Sequence, residues 1–253
     1  MVVRSRSRGG AHRMFDMHVI GRPHVAAATL ALMLCAGAGA LRAEIPPGFT
    51  RIFDGKTTKG WHFSGTVHHG TTGLATVTKD GILQLTQRPF GQGGLFITDK
   101  IYKNFHLYLE VKLPFASNSG IFLRSTEGGS AYQVELVQGG ATGALIGEGL
   151  RLSQGIPAPD LTSIWKVDEF NAIEVRMEGD APHITIWING VKTGEVQEPR
   201  NDQIGGVVGG HIGLQLHWLD TYEPASVSGG GMSNAMKPGH PIEFRNIAVK
   251  ELP

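Results

Sequence analysis

From Gly48 onward, apolar residues recur at every second position in short runs, and glycines and polar turns interrupt them. Alternate side chains of an extended strand point to opposite faces, so this period describes strands with one buried and one solvated face. No run sustains the period of a helix. Strands are expected at 49–53, 74–78, 82–85, 94–98, 105–113, 119–125, 131–137, 170–177, 183–188, 191–196, 210–218 and 242–250. Asn189-Gly190, between two of these runs, has the residue types that tolerate the positive φ of a type I′ hairpin. Segments 138–164 and 219–240 are rich in Gly, Pro, Ser and Ala and read as long surface loops. An all-β chain of this kind forms either a two-sheet sandwich or a closed barrel, and alternation alone does not separate the two.

Residues 1–43 have a different character. A basic stretch leads into the apolar run Val25–Leu34, then into small residues ending at Ala40 or Ala43, which is the pattern of a cleaved signal peptide. The apolar run is too short to span a bilayer, so a secreted or periplasmic protein without stable membrane insertion is expected, with residues 44–253 as a single domain. The only cysteine, Cys35, lies in this leader, and Leu32-Met33-Leu34 before it lacks the small residue of a lipoprotein signal. Disulfides and Cys-ligated metals are therefore excluded for residues 44–253. Six of the 23 basic residues and one of the 22 acidic ones precede Glu44, which leaves residues 44–253 at net −4. That balance argues against nucleic acid as a partner.

Strand parity sorts the polar residues. In Asn118–Ser125, Asn118, Gly120, Phe122 and Arg124 share one face, and Ser119, Ile121 and Leu123 share the other. In Ala131–Val137, Gln133 and Glu135 oppose Tyr132, Val134 and Leu136; in Gly210–Trp218, His211, Gln215 and His217 oppose Ile212, Leu214, Leu216 and Trp218. If these strands share a sheet, a cation, a carboxylate and an imidazole converge among amides, a set suited to acid/base chemistry. The same alternation also describes ordinary solvated faces.

The sequence resembles the 3-keto-disaccharide hydrolase domain family of the concanavalin A-like superfamily over most of residues 48–252. The resemblance rests on Phe49 to Thr57 with Gly60-Trp61, on Asn118 to Arg124, and on Tyr132-Gln133-Val134-Glu135-Leu136. It continues through Glu169-Phe170-Asn171, Ile188-Asn189-Gly190, His211 to His217 and Glu243 to Ile247. It implies an antiparallel two-sheet jelly-roll sandwich acting on sugars whose 3-hydroxyl has been oxidised to a ketone, and a functional pairing with a sugar 3-oxidoreductase. Two departures stand out. Gln133 and Glu135 exchange the types usual in the family, and Leu219–Gly239, with Asp220, Tyr222 and Glu223, is longer than the usual turn.

A C3 ketone acidifies the C2 proton, so a base can form the enolate, the C1 substituent leaves by elimination, and water adds to the enone. Such a site wants a base near neutral pKa, a donor, cation or divalent metal for the enolate oxygen, and an acid for the leaving group. With the resemblance, His217 is expected as base or acid, Glu135 as its partner or a metal ligand, and Arg124 as the substrate clamp. Gln133, Gln215, Asn118, Trp61 and His211 are expected to bind the sugar. Trp218 is expected in the core by parity. His68 and His69, adjacent on an extended segment, are expected to point apart and not to bind metal. Asp54-Gly55-Lys56-Thr57 reads as a turn. A non-catalytic carbohydrate-binding module is the alternative; a conventional glycosidase needs two carboxylates, and only Glu135 is assigned to the polar face, with Glu148 in an expected loop.

Overall fold

The computed structural model describes residues 44–87, 92–115, 117–138, 140–218 and 240–253. The expected leader with Cys35, and Asp220, Tyr222 and Glu223, lie outside the described residues.

Two antiparallel sheets, neither closed, make a jelly-roll sandwich, and no α-helix occurs among the described residues. The larger sheet contains β1 (Thr50–Arg51), β3 (Leu74–Val77), β4 (Leu83–Thr86), β6 (Phe105–Lys112), β10 (Asn171–Glu178), β11 (His183–Ile188), β12 (Val191–Gln197) and β14 (Ile242–Glu251). Its order is β12-β11-β10-β6-β14-β4-β3, with β1 alongside β14. The smaller sheet contains β2 (Trp61–Phe63), β5 (Gly94–Thr98), β7 (Asn118–Ser125), β8 (Ala131–Val137), β9 (Leu145–Glu148) and β13 (His211–Leu216), in the order β2-β5-β13-β7-β8-β9. The sheets bury Leu107, Leu109, Val175 and Phe244 against Ile121, Val134, Leu136, Ile212 and Leu214, all fully inaccessible. Each such side chain contributes about 1.5–3 kcal/mol relative to exposure.

The expected hairpin forms: β11 and β12 pair antiparallel around Asn189-Gly190, both at positive φ. Several residues of the resemblance are scaffold. Asn189 Nδ2 donates to the Ile164 carbonyl and to Asn171 Oδ1, while Asn171 Nδ2 donates to the carbonyls of Lys166 and Glu169. Arg245 pairs with the buried Glu110 at 2.6 Å and lies over the Phe170 ring at 4.0 Å.

Three expectations are corrected. Part of the expected loop at 138–164 is strand β9, a run too short to show alternation, which pairs with β8 and places Glu148 opposite Ala131. Trp61 is no sugar platform: its Nε1 donates to the Ile52 carbonyl at 2.7 Å and its ring stacks on Phe96 in the core. Arg124 does not join the polar face. The register between β7 and β13 slips there, with His211 opposite Ser125 but Gly213 opposite Phe122, so β7 carries an extra residue and Arg124 takes a positive φ of 51°. Such a bulge re-aims the side chains that follow it. The guanidinium is buried and donates to the carbonyls of Lys103 and Gly179 and to Asn104 Oδ1, tying the end of β7 to turns of the larger sheet.

Candidate functional site

Residues directly opposite in neighbouring strands share a face, and register therefore assembles the site. Gly120 lies opposite Glu135, Phe122 opposite Gln133, and Asn118 opposite Val137; on the other side of β7, Gly213 lies opposite Phe122. Asn118, Gln133, Glu135, Gln215 and, across β8, Glu148 consequently occupy the outer face of the smaller sheet, as expected for the first four.

This face is only partly solvated because the segment from Ser64 to Gly70 folds across it. Ser64 Oγ donates to the Glu127 carbonyl and accepts from the amides of Thr66 and Val67, while the Gly65 amide donates to Glu127 Oε1. Val67 then packs with Leu95, Ile97, Phe122 and Ala131 in a small apolar cluster. Beyond it the segment delivers His68 and His69. Their rings are not pointed apart, as an extended strand would have them, but lie 4.0 Å apart, and both reach Glu148 Oε1: His68 Nε2 at 2.9 Å and His69 Nε2 at 3.5 Å. A turn, with Gly70 at positive φ, replaces the expected strand.

A chain of polar contacts runs along the floor. Gln133 Nε2 donates to Glu135 Oε1 at 3.2 Å and to Gln215 Oε1 at 3.3 Å. Gln215 Nε2 lies 3.0 Å from His69 Nε2 and 3.4 Å from its Nδ1. Such similar distances to both ring nitrogens place the amide against the ring face, not along either in-plane lone pair. Gln133 Oε1, Glu135 Oε2 and Asn118 Oδ1 are buried acceptors that meet no hydrogen-bond donor among the described residues. Buried acceptors of this kind call for a ligand or water.

Charge follows burial. Glu135 is 6% exposed, and burial first, then repulsion from Glu148, pushes its carboxyl up to about 7. Burial acts on Glu148 in the same sense, but the hydrogen bond from His69 and the nearby imidazoles of His69 and His68 hold it below the usual carboxylate value. His217 sits at the rim; burial lowers it to about 4, so it is neutral at physiological pH. Its Nδ1–H donates to the Trp218 carbonyl at 3.1 Å, which leaves acceptor character at Nε2. Trp218, expected in the core, is 40% exposed and stacks near His69 and His217, because β13 ends at Leu216 and strand parity no longer applies.

His211 stands apart from this set, at the far end of β13 beyond the apolar cluster. Its Nδ1–H donates to the Thr98 carbonyl at 2.6 Å and its ring centroid lies 6.3 Å from that of His62, which bridges Asp99 and Glu127. The structure thus gathers His217, Glu135, Gln133, Gln215 and Asn118, and leaves out Arg124, Trp61 and His211. Parity missed His68, His69, Glu148 and Trp218 as members. The one available signal was the adjacent pair of histidines before a glycine, which permits a turn.

No curated protein matches the chain. Among solved structures, a candidate glycosyl hydrolase from Parabacteroides distasonis superposes with a TM-score of 0.53 at 19% identity, covering 81% of this chain and 94% of that one. A structure described with endo-acting O-glycanases of the human gut microbiota gives 0.51 at 15% identity, covering 79% and 97%. A sialidase gives 0.50 at 11% identity over 81% of this chain and 18% of its own. At such identities these similarities speak for the fold. The match over residues 48–250 goes further, and on it the chain belongs to the 3-keto-alpha-glucoside-1,2-lyase-like domain family.

Proposed function

We propose that the protein cleaves the glycosidic bond of 3-keto-glycosides by elimination followed by hydration. The observation that carries this reading is Glu135: a buried carboxyl shifted to about 7, whose Oε2 meets no hydrogen-bond partner among the described residues, beside amides and imidazoles on one face. A base of that strength suits a C2 proton acidified by a neighbouring ketone, and it can return the proton afterwards.

In this reading Glu135 takes the proton from C2, and the electron pair of that bond moves into the enolate. The enolate collapses to a C1–C2 double bond, and the C1–O bond breaks. The departing oxygen takes a proton from the Glu135 carboxylic acid, and water then adds across the double bond, its oxygen to C1 and its proton to C2. Asn118 Oδ1 and Gln133 Oε1 accept from sugar hydroxyls, His217 takes the proton from the adding water and passes it to C2, and Trp218 presents an aromatic face to the ring. The substrate has to come from an oxidation at C3, the reaction class that would precede this one.

The test offers a chromogenic 3-keto-glucoside and its unoxidised parent to residues 44–253. Release from the keto compound alone, lost in Glu135→Gln, is the expected result. Release from both would mean a glycosidase using Glu135 and Glu148, and binding without release would mean a carbohydrate-binding module.

A further inference from the structure

We infer that His68, His69 and Glu148 form a site for a divalent transition-metal ion of the zinc type. Nothing about strand parity calls for these residues to meet. His68 and His69 arrive on the folded-over segment, Glu148 arrives on edge strand β9, and yet one ligand atom from each lies within 4.8 Å of the others.

The separations have the size a shared ion requires. Zinc-to-nitrogen and zinc-to-oxygen bonds of about 2.0–2.2 Å set neighbouring ligand atoms roughly 3 to 3.5 Å apart. Glu148 Oε1 stands 2.9 Å from His68 Nε2 and 3.5 Å from His69 Nε2. The second distance is too long for a strong hydrogen bond but suits two ligands on one ion. The Gln215 amide lies against the face of the His69 ring, so it does not consume the in-plane lone pair.

Surroundings also fit. His69 is 3% exposed and held between Trp218, His68 and Phe122, so its ring is oriented before any ion binds. His68 is 53% exposed and Glu148 20%, which gives an ion a path in from solvent. Two imidazoles and one carboxylate form a donor set for zinc, nickel, cobalt or manganese rather than calcium, which prefers oxygen. Three protein ligands leave a position for a water or a substrate oxygen, as in catalytic rather than structural sites.

This inference deepens the proposed function, and its catalytic meaning rests on that reading: the ion would polarise the 3-keto oxygen and hold the enolate that Glu135 generates. Binding itself does not depend on it. The experiment is therefore a zinc titration by calorimetry of residues 44–253 stripped with chelator, without sugar, together with elemental analysis after dialysis. Expected are one equivalent of zinc, a raised Tm, and an affinity at least about tenfold weaker in Glu148→Gln and in His68→Ala, each with an unchanged circular dichroism spectrum. His68→Ala keeps the test valid if Glu148→Gln fails to fold, because His68 is the exposed member. No stoichiometric binding by the stripped wild type, or equal affinity in both variants, would overturn the inference. Zinc bound at this site with no release from the 3-keto-glucoside would instead refute the elimination reading and leave the metal site standing.

Discussion

The hydrogen that stands for a side chain at Gly120 is the space in which the Gln133 carboxamide lies, since a Cβ built there would fall 2.3 Å from Gln133 Nε2. Gly120→Ala therefore has to push Gln133 off its contacts with Glu135 and Gln215. Overpacking of this kind costs about 1–3 kcal/mol. The variant should show a lower urea midpoint and, per folded molecule, a fall in kcat/KM on a 3-keto-glucoside. An unchanged kcat/KM would detach Gln133 from the site's function.

Glu135 makes both rate and stability depend on pH. Its carboxyl is raised from 4.5 to about 7 in the folded protein, so the folded state holds a proton that the unfolded chain releases between these values. The contribution is accordingly neutral below about 4.5, becomes unfavourable as pH rises, and levels off above about 7 at roughly 3 kcal/mol. Glu135→Gln should raise Tm at pH 8 and leave it little changed at pH 4, as thermal unfolding can show. In the wild type, kcat/KM should rise with pH up to about 7 and then flatten.

Arg124 supports the sandwich and not the sugar. Replacing it by methionine leaves the carbonyls of Lys103 and Gly179 without their donor, a loss of about 1–3 kcal/mol for buried groups. Denaturant melts should record that loss while KM for the keto sugar stays at the wild-type value. A selective rise in KM would return Arg124 to the substrate.

Trp61, expected at the sugar, and Trp218, expected in the core, divide the other way by exposure. Trp218→Ala removes a 40% exposed ring, so stability should change little while KM rises several-fold, in line with about 0.5–1.5 kcal/mol for aromatic stacking. Trp61→Ala empties a core position and should cost about 3–5 kcal/mol in unfolding free energy. Equal effects of the two variants on KM would contradict this division.

Period-two alternation was enough to read twelve of the fourteen strands among the described residues, their buried faces and the Asn189-Gly190 hairpin, because a strand's parity and a turn's φ are local properties of a few consecutive residues; β2 and β9, at three and four residues, were too short to show it. It also assigned Gln133, Glu135, Gln215 and Asn118 to one polar face, which register then joined across β13, β7 and β8. Parity fails where the backbone leaves the regular strand. The extra residue in β7 turned Arg124 away, the end of β13 released Trp218 from the core side, and the turn before Gly70 brought His68 and His69 together. Glu148 reached the same place only because β9 pairs with β8, a contact between segments that no local pattern encodes. The alternation of residues determined the sheets and the face that carries the chemistry; bulge, strand end and folded-over loop decided which side chains meet there, because each depends on packing against distant parts of the chain.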